Sequence, residues 1–197
     1  MKRFLFFFAM IAINQGCRVY EIVDDEPDAP LNPARQTYDL RGFDQLDVRD
    51  ALQLVATARP TFRVYAEGDS TDLADLRVEV SGTTLSAGYV RRRARRYPMR
   101  LEVDLPALTQ ARLSGAVSAE AQGFHAAGDL RLDLSGATRL QGTDVQASGL
   151  KLSLSGASSV LLAGKATRLE ADVRGASTLG AFDCPTEEAT LSVNGAS

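Results

Sequence analysis

"LSGA" at residues 113–116 returns at 134–137 and 154–157, and the variants "VRGA" at 173–176 and "VNGA" at 193–196 continue the series. From Gly115 the glycines step to Gly136, Gly156, Gly175 and Gly195, at intervals of 21, 20, 19 and 20 residues. A fixed period of this length marks stacked units, each supplying the same element in the same sense. Two positions before the glycines stand Leu113, Leu134, Leu154, Val173 and Val193, and four before them Ala111, Leu132, Leu152, Ala171 and Leu191. The intervening columns are polar: Arg112, Asp133, Ser153, Asp172 and Ser192, then Ser114, Ser135, Ser155, Arg174 and Asn194. Alternation with a period of two is that of a strand with one buried and one wet face.

Every one of the five glycines is followed by alanine: Ala116, Ala137, Ala157, Ala176 and Ala196. Glycine permits a backbone conformation that a Cβ would forbid, and the constant small neighbour points to a crowded corner. Four of the words run on into a further stretch with apolar residues, "VSAEAQGF", "TRLQG", "SSVLLAG" and "STLGAF", which reads as a second strand. The expected fold is all-β, a parallel β-helix-like solenoid with ~20-residue coils whose strands stack at about 4.8 Å. An antiparallel meander is the alternative; it reverses direction at each turn and gives no reason for columns to repeat in one sense.

Residues 38–105 lack the repeat. Alternating runs through Phe43, Leu46, Val48, Leu52 and Leu54, then "LRVEVSGTTLSAGY" and "MRLEVDL", indicate strands separated by turns. They are expected to form an irregular β-sheet cap region over the solenoid of 106–197, covering its exposed end.

At 197 residues with 45% hydrophobic content the chain suits one domain with a core, and a net charge of −3 with 7% aromatics and no Trp argues against a nucleic-acid binder. The N-terminus has Lys2 and Arg3 before an apolar run from Phe4 to Ile13, then Asn14, Gln15, Gly16 and Cys17. Ten apolar residues are too few to cross a bilayer and suit an export signal. Gly16 before Cys17 is similar to the end of a bacterial lipoprotein signal, which implies removal of residues 1–16 and lipidation of Cys17; an ordinary secretory peptide is the alternative. Loss of Lys2 and Arg3, with no acid beside them, leaves a mature charge of −5. Residues 17–37 carry Asp24, Asp25, Glu26 and Asp28 with three prolines, Pro27, Pro30 and Pro33, the composition of a solvated tether.

The order of these pieces, "YDLRGFDQLDVRDALQLVA", "RVYAEGD", "LRVEVSGTTLSAGY" and "LEVDLPALTQARLSGA", then recurring Gly-Ala-Ser words, resembles the head GIN domain family of autotransporter adhesin heads. The likeness runs from about Tyr38 to the C-terminus. It implies an exported bacterial envelope protein, lipid-anchored to the outer membrane on its periplasmic or surface side, with an all-β domain and no enzyme activity. Arg174 and Asn194 depart from the family's Ser before Gly, and the family pattern continues past a word such as the one ending at Ser197.

No catalytic residues, metal site or cofactor are expected. His125 is the only histidine and stands in a turn-like "GFHAAGD"; Cys184 has no neighbouring base; Asp69, Asp72 and Asp75 lack the spacing and central glycine of a calcium loop. Asp133 and Asp172 lie two strands apart in the outward column, roughly 9–10 Å, the separation of an inverting carboxylate pair. They have the ordinary reading of solvated partners for Arg131 and Lys151. The strongest charge feature is "YVRRRARRYPMR", with Arg91, Arg92, Arg93, Arg95 and Arg96 as candidates for an anionic ligand: envelope polysaccharide, anionic lipid or an acidic protein. Edge protection is the competing reading. The function expected is binding or adhesion by a rigid envelope lipoprotein; the alternatives are a carbohydrate-active β-helix enzyme and a structural module forming homo-oligomers through its C-terminal coil.

Overall fold

The computed structural model describes residues 30–196. Among them fourteen strands and one helical turn follow in order: β1 (Pro33–Tyr38), β2 (Gln45–Val48), β3 (Leu52–Ala58), β4 (Arg63–Asp69), α1 (Ser70–Leu73), β5 (Leu76–Ser81), β6 (Thr84–Tyr89) and β7 (Met99–Leu105). The repeats supply β8 (Gln110–Gly115), β9 (Ser118–Gln122), β10 (Asp129–Gly136), β11 (Arg139–Leu154), β12 (Ser159–Gly175), β13 (Thr178–Asp183) and β14 (Glu188–Gly195). The expected signal peptide, Cys17 and the acidic run 24–28 lie outside the described residues.

Adjacent words pair in parallel, which rules out the meander for this half of the chain. Leu113 faces Leu134, Leu134 faces Leu154, Leu154 faces Val173 and Val173 faces Val193. A second ladder forms beyond the corners, where β9, the first part of β11, the first part of β12 and β13 align as Ala119, Leu140, Val160 and Leu179. β11 and β12 belong to both ladders, and each crosses between them through a shift of register near Gly142 and Val145.

The expected parallel solenoid preceded by a cap is corrected by the pairing of the remaining strands. All fourteen strands make one mixed sheet that curls into a nearly closed, barrel-like wall around one core. β2 lies between β6 and β8, and β3 between β7 and β9, all in parallel, so the strands expected to cover an end are spliced into the wall. At the margins the direction reverses: β1 with β4, β4 with β7, and β5 with β6 are antiparallel. A repeated column reports only on neighbours about 20 residues apart. It is silent on partners such as Gln45 and Gln110, 65 residues apart, whose shared word is disguised as "VRDA" with Asp50 in the glycine's place.

The inward columns Ala111, Leu132, Leu152, Ala171 and Leu113, Leu134, Leu154, Val173 are buried, and Leu46, Val48, Leu85 and Ala87 continue them across the sheet. Phe124 is buried in the core and lines a void of about 20 Å³ with apolar walls. That is room for about one water molecule and no acyl chain or cofactor.

At the corners the five glycines take φ between +81° and +112°, the left-handed region that favours glycine. Each rests on the one before: Ala137 N donates to Gly115 O at 2.7 Å, Ala157 N to Gly136 O at 2.8 Å, and Ala176 N to Gly156 O at 2.8 Å. Asp50 is the member above Gly115, with φ of 71° and its carbonyl accepting from Ala116 N. Its carboxylate accepts from Tyr89 N at 2.7 Å. Two residues past the corners, Thr138, Ser158 and Ser177 are buried and satisfied among themselves: Thr138 Oγ1 donates to Ser158 Oγ at 2.9 Å, and Ser158 and Ser177 donate to the carbonyls of Ser155 and Arg174.

Candidate anion-binding cleft

β4 runs into α1 through Asp69, whose carboxylate accepts from Thr71 N at 3.0 Å and so caps the turn. The hydrogen bond from the Thr71 hydroxyl, with further bonds from backbone N–H groups, holds the Asp69 carboxyl below its ordinary range. The turn places Asp72 and Asp75 towards the loop joining β6 to β7, in which the arginines stand.

Arg95 is the keystone of that loop. Its side chain is 8% exposed; it donates to Asp72 at 2.9 Å and to Asp75 at 2.7 Å, and its guanidinium lies 3.5 Å from the centroid of the Tyr89 ring. Contact with a ring face together with two carboxylate partners is an arrangement that guanidinium serves better than ammonium. Arg93 reaches Asp72 at 2.7 Å and Thr71 O at 3.0 Å, and Arg91 approaches Asp75 at 3.9 Å. Hydrogen bonds from Arg95 hold the Asp75 carboxyl below its usual range, and burial pushes the Tyr89 hydroxyl, which has no hydrogen-bond partner, up to about 12.

The structure therefore divides the five candidate arginines. Arg93 and Arg95 tie the loop to α1. Arg91 and Arg92 are exposed, and Arg92 makes no ion pair among the described residues. Arg96 lies 5.5 Å from the Tyr97 ring. Arg91, Arg92, Arg93, Arg95 and Tyr89 line an open cleft of about 690 Å³ whose floor is Asp50–Ala51 and Gly115–Ala116, the start of the corner column. Four guanidinium groups, those of Arg91, Arg92, Arg93 and Arg95, stand near three carboxylates, those of Asp50, Asp72 and Asp75. The local surplus is positive although the chain is acidic overall.

The other expected residues are engaged elsewhere. His125 meets Asp144 at 3.1 Å on an exposed surface, and Cys184 is half-buried, its thiol pushed up by burial. Asp133 and Asp172 flank Ser153 in register, but Asp133 accepts from Arg131 and Gln110, and Asp172 from Arg174. Among the described residues no three His, Cys, Asp or Glu side chains gather as metal ligands. Sequence reasoning missed Asp50 and the role of Asp72 and Asp75 as partners of the arginines. The word "VRDA" at 48–51 carried the first, and three aspartates facing an arginine run could have suggested the second.

No curated protein matches the chain. Among solved structures, a "putative adhesin" from Parabacteroides distasonis superposes with a TM-score of 0.64 at 13% identity, over 86% of this chain and 80% of that one. A "putative adhesin" from Parabacteroides merdae gives 0.62 at 13%, over 85% and 80%. A "Putative lipid binding protein" from Parabacteroides distasonis gives 0.62 at 16%, over 84% and 80%. At such identities the likeness is one of fold. The sequence signature of the family described as "Putative auto-transporter adhesin, head GIN domain" matches residues 42–197, and the chain belongs to that family.

Proposed function

We propose that this protein is a non-enzymatic envelope lipoprotein, exported by residues 1–16 and lipidated at Cys17, whose β domain serves as a rigid adhesin-type binding module for anionic groups. One observation carries the binding assignment: in a family of adhesin heads, this domain lines one open cleft with four arginines, of which Arg93 and Arg95 are held by Asp72 and Asp75 while Arg91 and Arg92 are exposed. Binding falls to this cleft. Arg93 and Arg95 set the shape of the cleft, and Arg91 and Arg92 meet the ligand. Guanidinium favours carboxylate, sulfate and phosphate through paired hydrogen bonds. The test has two readouts. Radiolabelled palmitate should enter the chain expressed in a bacterial host and be lost in Cys17→Ala; unchanged labelling sinks the anchor. On an array of acidic and neutral glycans, the chain should bind acidic members and the Arg91→Ser/Arg92→Ser variant should not; equal binding by both sinks the cleft.

A second reading, self-association, rests on β14. All eight of its residues are exposed, including Leu191 and Val193 in the columns that are buried on β10, β11 and β12. A strand edge with uncovered apolar side chains and no charge from Ala189 to Asn194 is a template for a like strand.

A further inference from the structure

We infer that the arginine loop, together with Val90 and Leu31, docks the domain onto anionic phospholipid headgroups of the membrane that anchors it; this rests on the lipid-anchored reading above. The argument starts from where the chain enters the domain. Asn32 is tied to α1 at its N-terminal side, its N–H donating to Asp69 at 3.4 Å and its carbonyl accepting from Ser70 N at 2.9 Å. Val90 is tied at the other side, its N–H donating to Asp75 O at 3.0 Å. From Ser70 to Asp75 is about 8 Å at 1.5 Å per residue. The tether therefore meets the domain at the same place from which the arginines project.

This end also carries exposed apolar groups. Leu31 is 77% and Val90 65% exposed, and Arg91, directly after Val90, has a side chain that is 81% exposed. Aliphatic side chains beside guanidinium groups suit the boundary between acyl chains and phosphates: the first enter the apolar side, the second donate paired hydrogen bonds to phosphate oxygens. A glycan surface gives Leu31 and Val90 no apolar phase to enter. With a mature charge of −5 the molecule as a whole is repelled by an anionic surface, so attraction has to come from a local patch. The fourteen residue-to-residue steps from Cys17 to Leu31 reach at most about 50 Å. An anchored domain is thereby held near the bilayer at high effective concentration, and a weak patch suffices to orient it.

The experiment uses the chain with Cys17→Ser, so that no acyl group contributes, sedimented with vesicles of phosphatidylglycerol plus phosphatidylcholine or of phosphatidylcholine alone. A soluble polyanion, dextran sulfate, is measured alongside. Binding should require phosphatidylglycerol. Each cation near such a surface is worth about fivefold in partitioning, so Arg91→Ser/Arg92→Ser should weaken binding by roughly 25-fold. Leu31→Ser/Val90→Ser should leave binding that is weaker and more easily removed by salt. Vesicle binding unchanged by both double variants overturns the inference. Binding to dextran sulfate with none to vesicles overturns the membrane docking while leaving the cleft as an anion site; binding to neither overturns both.

Discussion

Replacing Gly156 by alanine should be far more damaging than the same change at Gly42, although the two have nearly the same backbone conformation. Gly42 has φ of +76° and an added Cβ would meet nothing within 4 Å; Gly156 has φ of +82° and its Cβ would stand 2.6 Å from Gly136 O and 3.1 Å from Gly136 N. A non-glycine residue in the left-handed region costs about 1–2 kcal/mol, which both substitutions incur. Only Gly156→Ala adds a collision with backbone that cannot rotate away. Overpacking of this kind costs typically about 1–3 kcal/mol, so Gly156→Ala should destabilise by about 2–5 kcal/mol and Gly42→Ala by about 1–2. Urea unfolding followed by far-ultraviolet circular dichroism measures both, with unchanged m-values as the condition for comparing midpoints. Gly175→Ala, whose Cβ would lie 2.6 Å from Gly156 O, should behave like Gly156→Ala. If the two corner variants fall within about 0.5 kcal/mol of Gly42→Ala, the corners are not close-stacked and the account of why the word repeats is wrong.

Ser158→Ala should cost about 1–3 kcal/mol by leaving the buried Thr138 hydroxyl without its acceptor, and adding Thr138→Val should recover part of it in a double-mutant cycle. Purely additive losses would contradict the hydroxyl ladder. The folded pKa of Asp75 lies below its unfolded value, so the stability it supplies is present above about pH 4 and disappears as pH falls through the folded value. The thermal midpoint should drop on acidification in that range, and less steeply in Arg95→Met, where the Asp75 pKa returns towards normal; parallel curves would refute the pairing. Concentration-dependent association in sedimentation velocity should be abolished by Leu191→Lys on β14, and a monomeric parent at all concentrations would dismiss self-association.

Much of the wall was legible because it is written in columns. Leu113, Leu134, Leu154 and Val173 announce both the burial and the mutual alignment of four strands, and the glycine after each fixes where the chain turns. The closure of the wall was not legible. β4 and β7 share no word, and their pairing of Tyr65 with Glu102 is decided by the whole core rather than by local pattern. Asp50 escaped notice for a related reason: it fills a glycine's place in the column, and 65 residues separate it from Gly115. Aspartate tolerates the left-handed region better than most residues, and here its carboxylate gains a bond from Tyr89 N. The arginine cluster was visible at once. Its division into structural and available members was not, because Asp72 and Arg95 are joined across 23 residues by a buried geometry that charge counting cannot supply.

The splicing of β2 and β3 between later strands sets an order of assembly. β10, β11, β12 and β14 find partners about 20 residues away, whereas Gln45 waits for Thr84 on one side and Gln110 on the other, and Gln53 for Arg100 and Ser118. Closing the longer loops first costs more chain entropy, so the repeats should zip before the N-terminal strands dock. As the chain emerges from its N-terminus, β2 and β3 have nothing to pair with until β6 to β9 have followed. A domain built this way completes its wall only after β6 to β9 have emerged to hold β2 and β3 in place.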